Sequence, residues 1–318
     1  MPVAPIKARL RLPVFAAPMF LVSGPDLVIA ACREGVVGAF PSLNARPLET
    51  LEEWLERISS TLASDEERRP GKIAPWAVNL IVHRSNKRLA DDLKLAVRYR
   101  APVVITSLGT PRRVRDEVHA YGGLLFCDVN SLFYARKAVD AGVDGLVLVA
   151  AGAGGHTGTI TPFAFLAEVR KFFDGPIALA GGISSGADVA AAIAMGADFA
   201  YIGTRFIAVR ESLASDSYRQ MLVESSVDDL ALSPYFTGVP ANFLKPSLER
   251  AGIDRADLDR PSPPIQFGPD DRPSRVWRDI WSAGQGVGSV ERVQSTSELV
   301  AELEAGYCQA IKRLKGFG

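Results

Sequence analysis

Cysteine is scarce in this chain. Cys32, Cys127 and Cys308 are the only three among 318 residues. They are odd in number, far apart and without the short intervals of a zinc site, so a reduced compartment is the simplest reading. Histidine is equally sparse, with only His83, His119 and His156. No two histidines or carboxylates share metal-ligand spacing, so no metal is expected. Neither sign of charge is in surplus, because 36 Lys and Arg are balanced by 36 Asp and Glu. That removes the electrostatic case for nucleic acid or an anionic membrane as a partner. No apolar run is long enough to span a bilayer, and the start Met-Pro-Val-Ala-Pro-Ile-Lys lacks the apolar core of a signal peptide. The expectation is a cytoplasmic protein. A Gly-x-Ser-x-Gly elbow is missing, which argues against serine hydrolysis.

Apolar residues are plentiful. Hydrophobic side chains make up 47% of the chain, enough for one barrel domain or a barrel with a small second domain. Short apolar runs at 13–17, 36–40, 76–82, 103–106, 124–127 and 145–149 are followed by two more, which lead into Gly181-Gly182 and Gly203-Thr204. Helical patterns lie between them at 26–33, 47–62, 86–98, 111–121, 131–141, 162–173 and 186–195. Residues 64–71 are charged and read as a surface loop. Eight strands alternating with helices imply parallel pairing and a closed (β/α)8 TIM barrel; an open doubly wound sheet is the alternative. After Phe206 the alternation stops. Helical pieces at 217–224 and 244–251 and the stretch Pro261-Ser-Pro-Pro264 suggest a smaller, mainly helical domain inserted after the last strand. The expected division is a barrel of residues 1–208 and 286–318 and an inserted unit of residues 209–285, placed to act as a lid.

In such a barrel the chemistry lies where strands end. Those ends here carry Pro18-Met19, Asn79, Ser107, Asp128, His156, Gly181-Gly182 and Gly203-Thr204. The run Ala153-Gly154-Gly155-His156 is a poor way to fill a core. Its glycines let main chain approach a ligand, and its imidazole can exchange a proton near neutral pH. Gly181-Gly182, ahead of the helix at 186–195, and Gly203-Thr204 suit a phosphate held on main-chain N–H groups, with a hydroxyl donor from Thr204. Each feature also has a structural reading. The glycines can be tight turns, Asn79 a satisfied buried amide, Asp128 the cap of the helix at 131–141, and His156 a packed histidine. His83 and His119 lie beside charged residues and read as solvated.

Ala153-Gly-Gly-His156-x-Gly158, Gly181-Gly-Ile-x-x-Gly186, Gly196-Ala-Asp198 and Gly203-Thr-Arg-Phe206 resemble the nitronate monooxygenases, formerly called 2-nitropropane dioxygenases. Ala17-Pro-Met19, Asn79-Leu80, Thr237-Gly-Val-Pro-Ala-Asn242 and Ser282-Ala-Gly-Gln-Gly-Val-Gly288 extend the resemblance along nearly the whole chain. The resemblance implies an FMN cofactor in a TIM barrel. Its phosphate would rest on Gly182, Gly203 and Thr204, with Gly181 also at the cofactor. Met19, Asn79, Asp128, Gly154 and Gly155 would contact the ring or ribityl portion, and Gln285 would approach from the insert. His156 matches the family's catalytic histidine. It would orient the nitro group or take the α-proton of a neutral nitroalkane, with O2 as co-substrate and a carbonyl compound and nitrite as products. Two positions depart from the relatives: Asp128 where a lysine is common, and Gly152 where a glutamate is common. The same motifs leave room for an NAD(P)H-dependent FMN reductase of the enoyl-ACP or quinone type, and for an inactive flavin-binding module. A homodimer is left open.

Overall fold

The computed structural model describes residues 4–254, 256, 258 and 278–316. Its strands in chain order are β1 (Val14–Ala16), β2 (Val37–Pro41), β3 (Trp76–Ile81), β4 (Val103–Ser107), β5 (Leu124–Val129), β6 (Gly145–Val149), β7 (Gly155–His156), β8 (Ile177–Ala180), β9 (Phe199–Ile202), β10 (Leu230–Ser233) and β11 (Ala241–Leu244). All except β7, β10 and β11 form a closed parallel barrel, with β9 returning to pair with β1. The TIM-barrel expectation is met, and the open sheet is excluded.

The period of two along each strand explains the closure. Phe15, Val37, Ala39, Ala77, Val103, Ile105, Phe126, Val147, Ala178, Phe199 and Tyr201 point inward and fill the lumen. Their neighbours Val78, Leu80, Val104, Leu125, Leu146 and Leu148 point outward onto the helices. Large rings face small residues inside. Phe15 packs edge-on against Phe199, with centroids 5.1 Å apart, and tilts against Phe126 at 5.9 Å. The same alternation carries Asn79, Ser107 and Asp128 inward at the carboxyl ends of β3, β4 and β5.

The last helix, Thr296–Lys315, packs beside the helix Gly186–Ala194. Gly186 permits this approach, because a Cβ there would collide with main-chain atoms of Leu303, Gly306 and Tyr307. Gly186→Ala is expected to lower stability by about 1–3 kcal/mol through overpacking. A denaturation midpoint equal to wild type would show that the two helices separate freely.

Two local expectations are corrected. The second long helix runs Leu48–Arg68, so residues 64–68 are helical rather than loop. Asp65 is buried there and accepts from Arg33 Nε at 2.6 Å, so a charged side chain continues the packed face. The insert, expected to be mainly helical, also contains strands. β10 pairs antiparallel with β11, and β11 with β7, in a separate three-stranded sheet. The helices Asp216–Glu224 and Lys245–Arg250 stand close to the expected positions. The stretch 261–264 lies outside the described residues.

Candidate active site

The last two barrel strands end in an open cradle. Gly182 has φ +73°, a left-handed conformation that a side chain rarely adopts, and a Cβ built there would meet none of the described residues within 4 Å. Among the described residues no acceptor takes the N–H groups of Gly182, Ile183, Gly203 or Thr204. Thr204 Oγ1 accepts from Gly284 N at 2.8 Å, which leaves its hydroxyl proton to donate. Gly284 belongs to the segment that closes the cradle from above, where Gln285 N donates to Gly152 O at 2.9 Å. Gly154 packs against Gly284 and Ala283, and Met19 Sδ lies near Gly203. The structure therefore brings Met19, Gly154, Gly182, Gly203, Thr204 and Gln285 to one place, with Gly181 alongside at φ +122°. Donors converge here with no Cβ in the way, which fits an anion such as a phosphate monoester.

The helix Gly186–Ala194 is capped by its own side chains. Asp188 accepts from Ser184 N and Ser185 N, at 3.0 and 2.8 Å, while Ser185 Oγ accepts from Asp188 N. This capping box also sets a carboxylate against the positive end of the helix dipole.

A second group lines the mouth. Asn79 Nδ2 donates to Ile105 O at 3.1 Å and to Ser107 Oγ at 2.7 Å. Ser107 Oγ in turn donates to Asp128 Oδ2. The helix after β5 is capped by Ser131, which accepts from Tyr134 N, so Asp128 is not its cap. Asp128 Oδ1 is buried without a hydrogen-bond partner among the described residues, as is Tyr201 OH. Burial pushes the Asp128 carboxyl up to about 7, and the Ser107 hydroxyl only partly offsets this.

His156 sits on β7 opposite Ala241 of β11, so its backbone is held by the insert's sheet. Thr157 N donates to Pro240 O at 2.9 Å, and Asn242 Nδ2 to Ala153 O at 2.7 Å. His156 Nε2 lies 2.9 Å from Thr237 Oγ1. Part of the residue remains accessible, yet loss of solvent around the imidazole lowers its pKa to about 4. It is neutral at physiological pH. His119 is exposed and pairs with Asp144, and His83 is half-buried beside Ser85.

The two perturbed groups pull stability in opposite directions. Folded Asp128 keeps its proton to about pH 7, against an ordinary value of 3.8. Between those values the folded state binds more protons, so this group makes stability fall as pH rises. Folded His156 binds a proton only below about pH 4, against an ordinary 6.5. Across that window the unfolded state binds more protons, and stability rises with pH. Thermal midpoints followed from pH 4.5 to 6.5 should climb more steeply with pH in Asp128→Asn than in wild type, and less steeply in His156→Asn. Superimposable profiles would contradict both assignments.

Several contributors escaped the sequence reading. Asn44 anchors the Met19 loop: its Nδ2 donates to Met19 O and Ser23 O, at 2.9 and 2.8 Å, and its Oδ1 accepts from Leu21 N at 2.8 Å. Nothing local in the sequence marks it. Tyr201 was legible by parity, since Phe199 points inward. Thr237 stood in a quoted motif without a role.

A closed barrel with an anion cradle and a neutral imidazole at its strand ends has the architecture of a barrel enzyme. The nitronate monooxygenase family model matches residues 5–253. The chain belongs to that family of oxidoreductases. A nitronate monooxygenase of Paraburkholderia phytofirmans is 26% identical, covering 96% of this chain and 94% of its own. A (3aS,4S,5R,7aS)-5-hydroxy-7a-methyl-1-oxo-octahydro-1H-indene-4-carboxyl-CoA dehydrogenase of Rhodococcus jostii is 27% identical over 76% of this chain and 65% of its own. Among solved structures, a nitroalkane oxidase from Streptomyces ansochromogenes superposes with TM-score 0.77 at 24% identity, covering 98% of this chain and 100% of that one. FabK from Thermotoga maritima gives the same TM-score at 22% identity, with 99% and 98% covered. Among the described residues no helix is long and apolar enough to cross a membrane, and no cluster of His, Cys, Asp and Glu could hold a metal.

Proposed function

We propose that the chain is an FMN-dependent nitronate monooxygenase, converting alkyl nitronates and O2 to a carbonyl compound and nitrite, with neutral nitroalkanes as further substrates. The observation that carries this reading is the cradle of unengaged amides at Gly182, Ile183, Gly203 and Thr204, one chain segment away from His156. The FMN phosphate would be held by these amides and the Thr204 hydroxyl, beside Gly181. Met19, Asn79, Gly154 and Gly155 would line the ring and ribityl portion, with Asp128 at a ring edge and Gln285 reaching in from the insert. Residues 1–208 and 286–318 form the cofactor-binding barrel in this reading, and residues 209–285 the substrate-facing unit.

When bound, the flavin supplies electron acceptance and reaction with O2. The chain's own residues supply binding, orientation and proton transfer. Neutral His156 presents an N–H donor and a lone pair, so it can orient a nitro group and accept an α-proton from a neutral nitroalkane. The Asn79–Ser107–Asp128 chain fixes its donors toward the carboxyl, which limits how these side chains can turn.

The likeness to the carboxyl-CoA dehydrogenase supports one rival, an NAD(P)H-dependent FMN reductase acting on an enoyl thioester or a quinone. Anaerobic mixing separates the two. The FMN-loaded protein is expected to bleach with a nitronate and to release nitrite once O2 is admitted. Bleaching by NADH and not by a nitronate would overturn the monooxygenase reading.

A further inference from the structure

The loop after β6 turns at Gly152, which sits at φ +89°, a left-handed conformation that favours glycine. A segment from far along the chain is laid against that turn, main chain on main chain. Gln285 N donates to Gly152 O at 2.9 Å. A Cβ on Gly284 would stand 2.8 Å from Gly152 O and 3.0 Å from Gly154 N, and one on Gly286 would collide with Ser184. These two glycines let the backbone of Gln285 lie tight against the loops after β6 and β8, which fixes where its side chain leaves the main chain. That side chain then runs into the space that a residue at 152 would fill. A Cβ built on Gly152 would lie 2.8 Å from Gln285 Oε1, 3.3 Å from Gln285 Cδ and 3.4 Å from Gly182 N. The carboxamide and the Gly182 N–H therefore crowd round one point at the cradle. Among the described residues the carboxamide has no hydrogen-bond partner, so it can turn about its Cγ–Cδ bond and present either its oxygen or its NH2.

We infer that Gly152 is a positioning residue whose missing side chain admits the Gln285 carboxamide to the cradle, where its NH2 donates to the phosphate of the bound mononucleotide. This deepens the proposed FMN reading and rests on it. A phosphate monoester brings negative charge to a place already lined by N–H donors. Facing it, the carboxamide turns its NH2 inward, because a carbonyl oxygen beside a phosphate oxygen would set two acceptors together. Hydrogen bonds to a charged oxygen are the stronger kind, and losing one costs roughly tenfold or more in affinity. Any side chain at 152 would take the carboxamide's space. The atom it would meet first is the far end of a flexible side chain, so Gln285 would swing out of the cradle while the loops around it stayed in place.

Riboflavin, which has the ring and ribityl chain of FMN without the phosphate, separates this contact from the rest. Affinities of both flavins for the full chain, freed of bound flavin, are read from the quenching of flavin fluorescence. Gln285→Ala is expected to weaken FMN about tenfold or more and to leave riboflavin within about twofold. Gly152→Ala should reproduce that pattern with an unchanged circular dichroism spectrum. In the Gln285→Ala background, Gly152→Ala should weaken FMN by no more than about a further twofold, since the carboxamide it displaces is already gone. Gln285 is exposed, so its variant should fold normally and decides the phosphate contact even if the backbone conformation at 152 destabilises the other. Equal losses for FMN and riboflavin in Gln285→Ala would put the carboxamide at the ring or ribityl chain and overturn the inference. A second full loss in the double variant would show that alanine at 152 acts on the cradle by itself, and would overturn the role given to Gly152. Wild type that binds FMN, with both variants binding it as tightly, would defeat this inference alone. Wild type that takes up no FMN would defeat the proposed function and this inference with it.

Discussion

His156→Asn is expected to lower turnover of a neutral nitroalkane by about two to four orders of magnitude, the usual span for losing a general base. Asparagine has a comparable polar reach but cannot hold an added proton near neutral pH. FMN should stay bound, because its proposed contacts are amides of Gly182, Gly203 and Thr204 rather than the imidazole. Turnover of a nitronate should fall far less, since its α-proton is already gone. The pH profile follows from the buried ring. With a folded pKa of about 4, the base is already neutral at pH 5, so wild-type kcat/KM on a nitroalkane should rise with pH through about 4 and show no histidine inflection near 6.5. Unchanged nitroalkane turnover in His156→Asn would place proton transfer elsewhere.

Gly182→Val should yield mostly flavin-free protein, with FMN affinity down by roughly a hundredfold or more. Two costs add. A left-handed conformation costs a side chain about 1–2 kcal/mol, and Gly182 sits at φ +73°. The new branches would also occupy the open space where the phosphate must approach the amides. Each 1.4 kcal/mol is a factor of ten in affinity. Gly182→Ala shares the first cost and intrudes less, so it should bind FMN with intermediate affinity. Since no described residue lies within 4 Å of that Cβ, the fold should persist, and a circular dichroism spectrum matching wild type would confirm it. Full FMN occupancy in the valine variant would remove the cradle from the account.

The barrel was legible because its strands are short apolar runs that alternate with helical patterns. The same runs put Asn79, Ser107 and Asp128 at strand ends, and the fold shows that they point inward there. The insert's strands were not legible for a physical reason. β10 and β11 have four residues each, and the sheet is completed by two-residue β7, which comes from a distant part of the sequence. Neither strand's alternation rises above its surroundings. Residues 64–68 misled because their charges suggest solvent, while Asp65 is buried against Arg33. The cradle residues could be named from glycine spacing, but their geometry could not. Only the fold shows that Asp188 engages the donors at Ser184 and Ser185, and that Gly284 N reaches Thr204. Thr237 is the clearest case, because its contact with His156 depends on a sheet that joins positions 156 and 241.

The central claim is that strand-end amides grip FMN in front of His156. The absorption spectrum of the purified protein, taken before and after incubation with FMN and removal of free nucleotide, tests it most directly. The account predicts a yellow protein with stoichiometric FMN, at the latest after reconstitution. A colourless, folded protein that takes up no FMN contradicts it.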